Sequence, residues 1–266
     1  MKILVKILLI TLWIAIAAGV VIMMSFANET HKVKKCRGIT CRIDYRGAQP
    51  LLSGNDLMAD ITKRFGKPQT QPLGEIDTKG IAAFLQKNPY LENTDALLTV
   101  EGDLLIKADQ CQAIVRYYTA DGKPHYLDRN GRVMPVNPAY PNKTLIATGQ
   151  IDSPLKEGKN IYSVPDSNRV MRDRLKSLYD IHKLAGIINT DSTLKALVEQ
   201  VYITTTGKIQ LVTKAGSHIV YLGDTTNAAE KLENLMYFYK YGLVKTGWTK
   251  YSKLNLEYKN QIVCTK

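Results

Sequence analysis

ILLITLWIAIAAGVVIMMSF, residues 7–26, is an unbroken apolar run, and no charged residue occurs between Lys6 and Glu29. A helix of ~20 residues rises ~30 Å, which matches the hydrocarbon core of a bilayer, and it satisfies its own backbone hydrogen bonds there. The sequence therefore predicts a transmembrane helix over residues 7–26. The alternative is a cleaved signal peptide, but such peptides usually have a shorter apolar core of ~7–15 residues.

The charges beside this run do not orient it. Residues 1–6 form a short tail with two lysines, and residues 27–35 form a polar, basic linker on the other side. Basic residues favour the cytoplasmic side, but the rule counts short loops, and long domains translocate largely regardless of charge. Charge alone leaves both orientations open.

Composition favours a globular body after the anchor. The chain has 266 residues, 45% of them hydrophobic, so the ~240 residues that remain suffice for one large or two small cores. The net charge of +12 favours anionic headgroups or cell-wall polymer as neighbours. Dense basic blocks with interleaved aromatic residues are missing from the sequence, which argues against nucleic acid.

Residues 36–110 predict a small α+β domain. Apolar and polar residues alternate at its start, as in a half-buried strand. Ser53 suits the N-cap of a helix that Gly66 ends, and Pro89 follows the end of a second helix. The order β-α-α-β-β places two helices on one face of a sheet. The predicted strands are residues 38–46, 94–101 and 104–108, and the predicted helices are residues 53–65 and 79–87.

Residues 111–266 predict a second, mixed β domain with flanking helices. Short strands and tight turns come first, for example the turn from Asp128 to Gly131. An amphipathic helix over residues 168–185 and a last helix, which starts at Thr226 or Asn227 and ends at Gly242, flank a meander. The predicted strands are residues 113–118, 125–127, 133–136, 145–148, 198–205, 208–214, 217–222 and 254–265.

The four cysteines fit no zinc or redox spacing. A strand would hold the Cα atoms of Cys36 and Cys41 ~16 Å apart, whereas a disulfide needs ~5.5–6 Å. Free, mostly buried thiols are therefore expected, and whether Cys111 and Cys264 approach each other stays open.

Motifs for catalysis are also missing from the sequence. The four histidines are far apart, and no Gly-x-Ser-x-Gly or Walker-type loop occurs. Asp128 suits a turn former better than an acid, and the apolar run around Cys264 suits an inert thiol. We expect no enzyme activity, no metal, no cofactor and no small-molecule substrate.

Three features in order carry a family resemblance. The first is the β-α-α-β-β block, with Asn88-Pro89-Tyr90 before its strand pair. The second is Tyr126-Leu127-Asp128-x-x-Gly131-x-x-x-Pro135, and the third is the tail from Trp248 through Leu254-Asn255-Leu256-x-Tyr258 to Cys264. Together they resemble the bacterial cell-division family FtsQ, also called DivIB.

This resemblance implies a topology and a function. Residues 36–110 would be a POTRA domain and residues 111–266 the family's β domain. The chain would cross the inner membrane once at the division septum, with its N-terminus cytoplasmic and its bulk periplasmic. It would be a non-enzymatic divisome scaffold that recruits FtsB, FtsL and other septal proteins.

The resemblance also implies a binding site. Partner strands would pair with the exposed edge of the last strand. Tyr258 matches an aromatic residue that the family uses there, and Lys259, Asn260 and Gln261 follow on the same edge. Glu257 stands where the family often has an arginine that pairs with an acidic partner. The alternative for Tyr258 is an ordinary strand aromatic packed on the core.

Two other classes of protein compete with this interpretation. A membrane-tethered POTRA-type chaperone for secretion or envelope assembly would also present sheet edges, but it is expected to carry several POTRA repeats. A cell-wall enzyme subunit is expected to show a catalytic Ser/Lys or Glu constellation.

Overall fold

The computed structural model describes residues 11–23 and 33–266, and residues 11–23 are helical (α1). The rest of the predicted span 7–26, the tail 1–6 and most of the linker 27–35 lie outside the described residues. In the described ranges, no helix has the combination of length and hydropathy that crossing a membrane requires.

The chain divides into two compact units, and the first contains Ser53–Gln86, Asn93–Asp109 and the described residues up to Asp44. Its sheet has the order β1-β3-β2, with β1 parallel to β3. The predicted β-α-α-β-β order is confirmed. The elements are β1 (Ile39–Asp44), α2 (Gly54–Phe65), α3 (Thr78–Leu85), β2 (Leu91–Leu98) and β3 (Leu104–Gln110).

Helix α2 begins at the cap that the sequence predicts. The Ser53 hydroxyl accepts the amide of Asp56 at 3.2 Å, and the Asp56 carboxylate accepts the amide of Ser53 at 3.0 Å. These two bonds satisfy first-turn donors that a helix leaves unpaired. Gly66 ends the helix with a φ of 84°, a backbone angle that glycine adopts without steric cost.

The second unit, which contains Tyr45–Leu52, Lys87–Glu92 and Gln110–Lys266, is built on a nine-stranded mixed sheet. The strand order is β12-β11-β10-β9-β8-β7-β4-β5-β6. Three of its pairings are parallel, β4 with β7, β7 with β8 and β10 with β11. The strands are β4 (Ala113–Tyr118), β5 (Pro124–Asp128), β6 (Val133–Pro135), β7 (Leu145–Gly149), β8 (Val198–Ile203), β9 (Ile209–Thr213), β10 (Ile219–Gly223), β11 (Lys253–Asn255) and β12 (Val263–Thr265).

The helices of this unit differ from the prediction in three places, one of which is the short helix Ser192–Leu197, which was not predicted. The helix expected over residues 168–185 is not continuous: it is interrupted at the fully buried Leu175, where ψ is −2°, and continues as a second, longer helix to Thr190. Gly242 does not end the last helix, which widens into a π-helical turn and stops at Gly247. The helices are α4 (Arg169–Arg174), α5 (Lys176–Thr190), α6 (Ser192–Leu197), α7 (Ala228–Tyr237), the π-helical Phe238–Leu243 and α8 (Val244–Thr246).

The core of the second unit lies between this sheet and helices α5 and α7. One row of residues crosses seven neighbouring strands in register, and all but the last member are fully buried. The half-buried Cys264 ends the row at the edge of the sheet and packs against the same core. The row is Tyr117, Ala147, Val201, Leu211, Val220, Leu254 and Cys264.

The prediction of a single strand over residues 254–265 is also wrong. The chain forms β11, leaves the sheet, turns and returns antiparallel as β12. Asn260 has a φ of 58°, in the left-handed region that asparagine tolerates better than most residues. The tail is therefore two short strands joined by a turn.

Candidate partner-binding edge

Strand β12 is the outermost strand at one end of the nine-stranded sheet. It pairs with β11 on its inner side, and Ser252 donates its amide to the carbonyl of Thr265 at 2.8 Å. On its outer side, the part of the chain that the structure describes supplies no strand. An edge of this kind presents unpaired amides and carbonyls to another chain.

The opposite end of the sheet is closed. Val133 of β6 donates its amide to Lys159 at 2.8 Å and accepts the amide of Gly158 at 2.7 Å. Arg132 and Asn160 form a further antiparallel bridge. Because this segment covers β6, the two ends of the sheet are not equivalent, and the open end is the one at β12.

The residues predicted for binding lie beside this edge and not on it. Glu257, Tyr258, Lys259, Asn260 and Gln261 all belong to the turn between β11 and β12. The Tyr258 side chain is 52% exposed, so the alternative of an aromatic packed in the core is wrong.

This turn forms a groove of about 240 Å³ with the beginning of α7. From the turn, all five predicted residues contribute to the lining, together with Leu256 and Ile262. From the other side come Asp224, Thr226, Asn227, Glu230, Lys231 and Asn234. This second wall was not predicted, because its helical residues give no local signal for a site.

Glu257 already has a partner within the chain. Its carboxylate accepts a hydrogen bond from the ammonium group of Lys208 at 2.8 Å. Lys208 lies in the turn between β8 and β9, 49 residues away in sequence, so no local pattern could predict the pair. This ion pair therefore links the turn between β11 and β12 to the turn between β8 and β9.

The cysteines and Asp128 are the other groups that the sequence singled out. All four thiols are free, and burial raises the pKa of Cys264 and raises that of Cys111 to about 12. Asp128 accepts the amides of Asn130 at 2.9 Å and Arg132 at 2.7 Å, as a turn former does. Burial raises the pKa of this carboxyl group as well.

A buried polar network lies behind the edge. His218 Nε2 lies 2.6 Å from the hydroxyl of Tyr239, which in turn lies 3.0 Å from the hydroxyl of Thr213. The Trp248 ring stacks edge-on against Tyr239 at 5.3 Å. These contacts connect strand β9 and the residue just before β10 to the π-helical turn and to the chain that leads into β11.

Acid is expected to weaken this network. Burial lowers the pKa of His218 from its usual 6.5, and the Trp248 backbone only partly offsets the effect. The unfolded chain then binds more protons than the folded chain once the pH falls below 6.5. Neutral His218 therefore contributes fully to the stability of the folded protein above pH 6.5. This contribution is lost as the pH falls from 6.5 through the lowered pKa of His218 in the folded protein.

The measurement is the free energy of unfolding at several pH values between 7.5 and 5. We expect it to fall with pH in the wild type and to fall less steeply in His218→Gln. The other histidines are unchanged in the variant, so the difference isolates His218. Equal slopes in the two proteins would contradict the prediction.

Comparison with known proteins identifies the family. No curated protein matches the chain. A sequence profile of the family described as "FtsQ/DivIB, C-terminal related" matches residues 112–265, which make up more than half of the chain and contain all nine strands of the larger sheet with its open edge. By this match the protein belongs to the FtsQ/DivIB family.

Proposed function

We propose that this protein is a divisome scaffold that binds FtsB and FtsL by accepting a strand at the edge of β12. The observation that carries the proposal is the asymmetry of the sheet, in which β6 is covered and β12 is open. Family membership gives the coarser statement, a role in cell division as a septum-associated, non-catalytic protein.

The side chains of β12 favour strand addition. Cys264 ends the buried row of the sheet, while Val263 and Thr265 point to the other face and are exposed. Because side chains alternate along a strand, every second residue of a partner strand would lie on the same face of the sheet as that row, and one of them would extend it. The partner residue opposite Cys264 is therefore expected to be apolar.

The turn beside the edge would supply side-chain contacts. We propose that Tyr258 packs on the partner and that Lys259, Asn260 and Gln261 hydrogen-bond to it from the rim. Since Glu257 is paired with Lys208, its contribution would be to hold the turn in place. An acidic residue of the partner would then form an ion pair with Lys259 and not with residue 257, which precedes the tyrosine.

We further propose the topology that the family resemblance implies. Residues 7–26 would cross the inner membrane, with residues 1–6 cytoplasmic and the bulk of the chain periplasmic. The first unit would be a POTRA domain, and the order β1-α2-α3-β2-β3 supports this assignment. Depletion of the protein should then give filamentous cells.

Replacing Tyr258 by alanine should weaken binding of a purified FtsB–FtsL complex by about tenfold or more, since buried aromatic anchors dominate interface energies. The side chain is half exposed in the chain alone, so its loss should not unfold the protein. The measurement is the dissociation constant for the full-length protein, with thermal unfolding as the folding check.

Tyr202→Ala is the matched control. Tyr202 is a tyrosine on β8 with 38% of its side chain exposed, and it lies in the interior of the sheet order, away from the edge. We expect this variant to bind as the wild type does. Unchanged affinity in a folded Tyr258→Ala protein would reject the assignment of this turn to the partner.

A further inference from the structure

Helix α7 and its continuation carry an exposed aromatic stripe beside the proposed partner site, and its two tyrosines, Tyr237 and Tyr241, line a shallow pocket with Asn260 and Gln261 of the turn. Tyr237 is 57% exposed, Tyr241 54% and Val244 68%. The rings of Tyr237 and Tyr241 stack at 6.3 Å with an interplanar angle of 19°. Contiguous apolar area of this kind is typical of an interaction surface.

The charges along this stripe change sign at its centre. Glu230 and Glu233 precede Tyr237, whereas Lys240 and Lys245 follow it, and all four are exposed. Within the described residues none of the four belongs to an ion pair; the Lys240 ammonium lies 5.2 Å from the Tyr241 ring. This order also suits the dipole of the helix itself.

We propose that the stripe is a homodimer interface, on which a second copy of this chain packs its own α7 in antiparallel orientation. With a two-fold axis beside Tyr237, Glu233 of one copy reaches Lys240 of the other. A two-fold interface uses the same patch on both subunits, so this pair forms twice.

A parallel arrangement is disfavoured by the same charges. It would align Glu233 with Glu233 and Lys240 with Lys240, and like charges placed together in an interface cost affinity. The chain as a whole is strongly basic at +12, which opposes self-association unless the local surface is complementary. The stripe is complementary to itself only in the antiparallel direction.

Charge reversal tests the dimer. The full-length protein in detergent is examined by analytical ultracentrifugation as wild type, Glu233→Lys and Lys240→Glu. Each single variant should weaken the dimer by about tenfold or more, because both symmetric pairs become like-charged. Mixing the two variants should restore a heterodimer of near wild-type affinity, since the pairs then regain opposite charges.

Lys195→Glu, an exposed lysine on α6, is the control for a change in net charge and should leave the dimer unchanged. A wild type that stays monomeric, single variants that dimerise normally, or a mixture that is not restored would each overturn the proposal. If Tyr237→Ser instead weakens FtsB–FtsL binding and the wild type is a monomer, the stripe belongs to that partner. Deleting β12 should leave the dimer intact, so failure of this proposal is distinguishable from failure of the proposed function.

Discussion

Deleting residues 263–266 is expected to reduce binding of the FtsB–FtsL complex by about 100-fold. The deletion removes β12, whose outer backbone groups would form the hydrogen bonds of strand addition. Such bonds each contribute about 1 kcal/mol net, so the loss of two or three gives an effect of this size. The measurement is the dissociation constant for the full-length and truncated chains.

The truncated protein is expected to remain folded. β12 has three residues, and Cys264, its one member on the core side, is only half-buried. The rest of the sheet, including β11 on β10, keeps its pairings. Loss of a few cross-strand pairs should lower the free energy of unfolding by about 1–2 kcal/mol.

Exchanging the two outward residues is the matched control for the truncation. Val263→Thr together with Thr265→Val keeps the backbone, the strand propensity and the Cys264 side chain. If the backbone is what the partner binds, this double variant should bind within a few-fold of the wild type. Full affinity in the truncated chain would instead show that β12 is not the binding edge.

Replacing Gly149 by alanine is expected to have the largest effect on stability, a loss of about 3–5 kcal/mol. Gly149 ends β7 with a φ of 103°, and a Cβ there would lie 2.0 Å from the carbonyl oxygen of Ile203. Ile203 is its register partner on β8, and its carbonyl accepts the amide of Gln150 at 2.9 Å. Because the obstacle is backbone in the middle of the sheet, it cannot move aside without breaking pairings.

Gly122→Ala is the control that separates the backbone strain of a positive φ from the steric collision expected at Gly149. Gly122 also has a positive φ, 80°, but an added Cβ would meet nothing within 4 Å. That variant should cost only the conformational penalty of about 1–2 kcal/mol. Chemical denaturation of both variants gives the comparison, and equal losses would contradict the predicted collision at Gly149.

Local chemistry was enough to predict much of both units. The Ser53 cap and the Gly66 stop mark α2 because they depend on hydrogen bonds and φ angles within one turn of chain. The β8-β9-β10 meander could be predicted from apolar strands separated by Gly207 and Gly216, both of which adopt positive φ. Such signals lie within a few residues of the structure that they specify.

Other features could not be predicted because they depend on residues that are distant in sequence. The helix is interrupted at Leu175, a residue that is fully buried in the core. At the π-helical turn, the Phe238 ring lies so close to Gly242 that an added Cβ would collide with it. The ion pair between Lys208 and Glu257 forms only once two turns meet across the sheet.

The sequence by itself determined the apolar segment, the β-α-α-β-β block and the family of the β-rich half, because these depend on composition, periodicity and short motifs. Only the tertiary structure decided which sheet edge is open. Whether β6 is covered and β12 is not depends on Lys159 bonding to Val133 and on the order of nine strands. Backbone pairing between distant segments cannot be predicted from local sequence, since nearly every residue offers the same backbone amide and carbonyl.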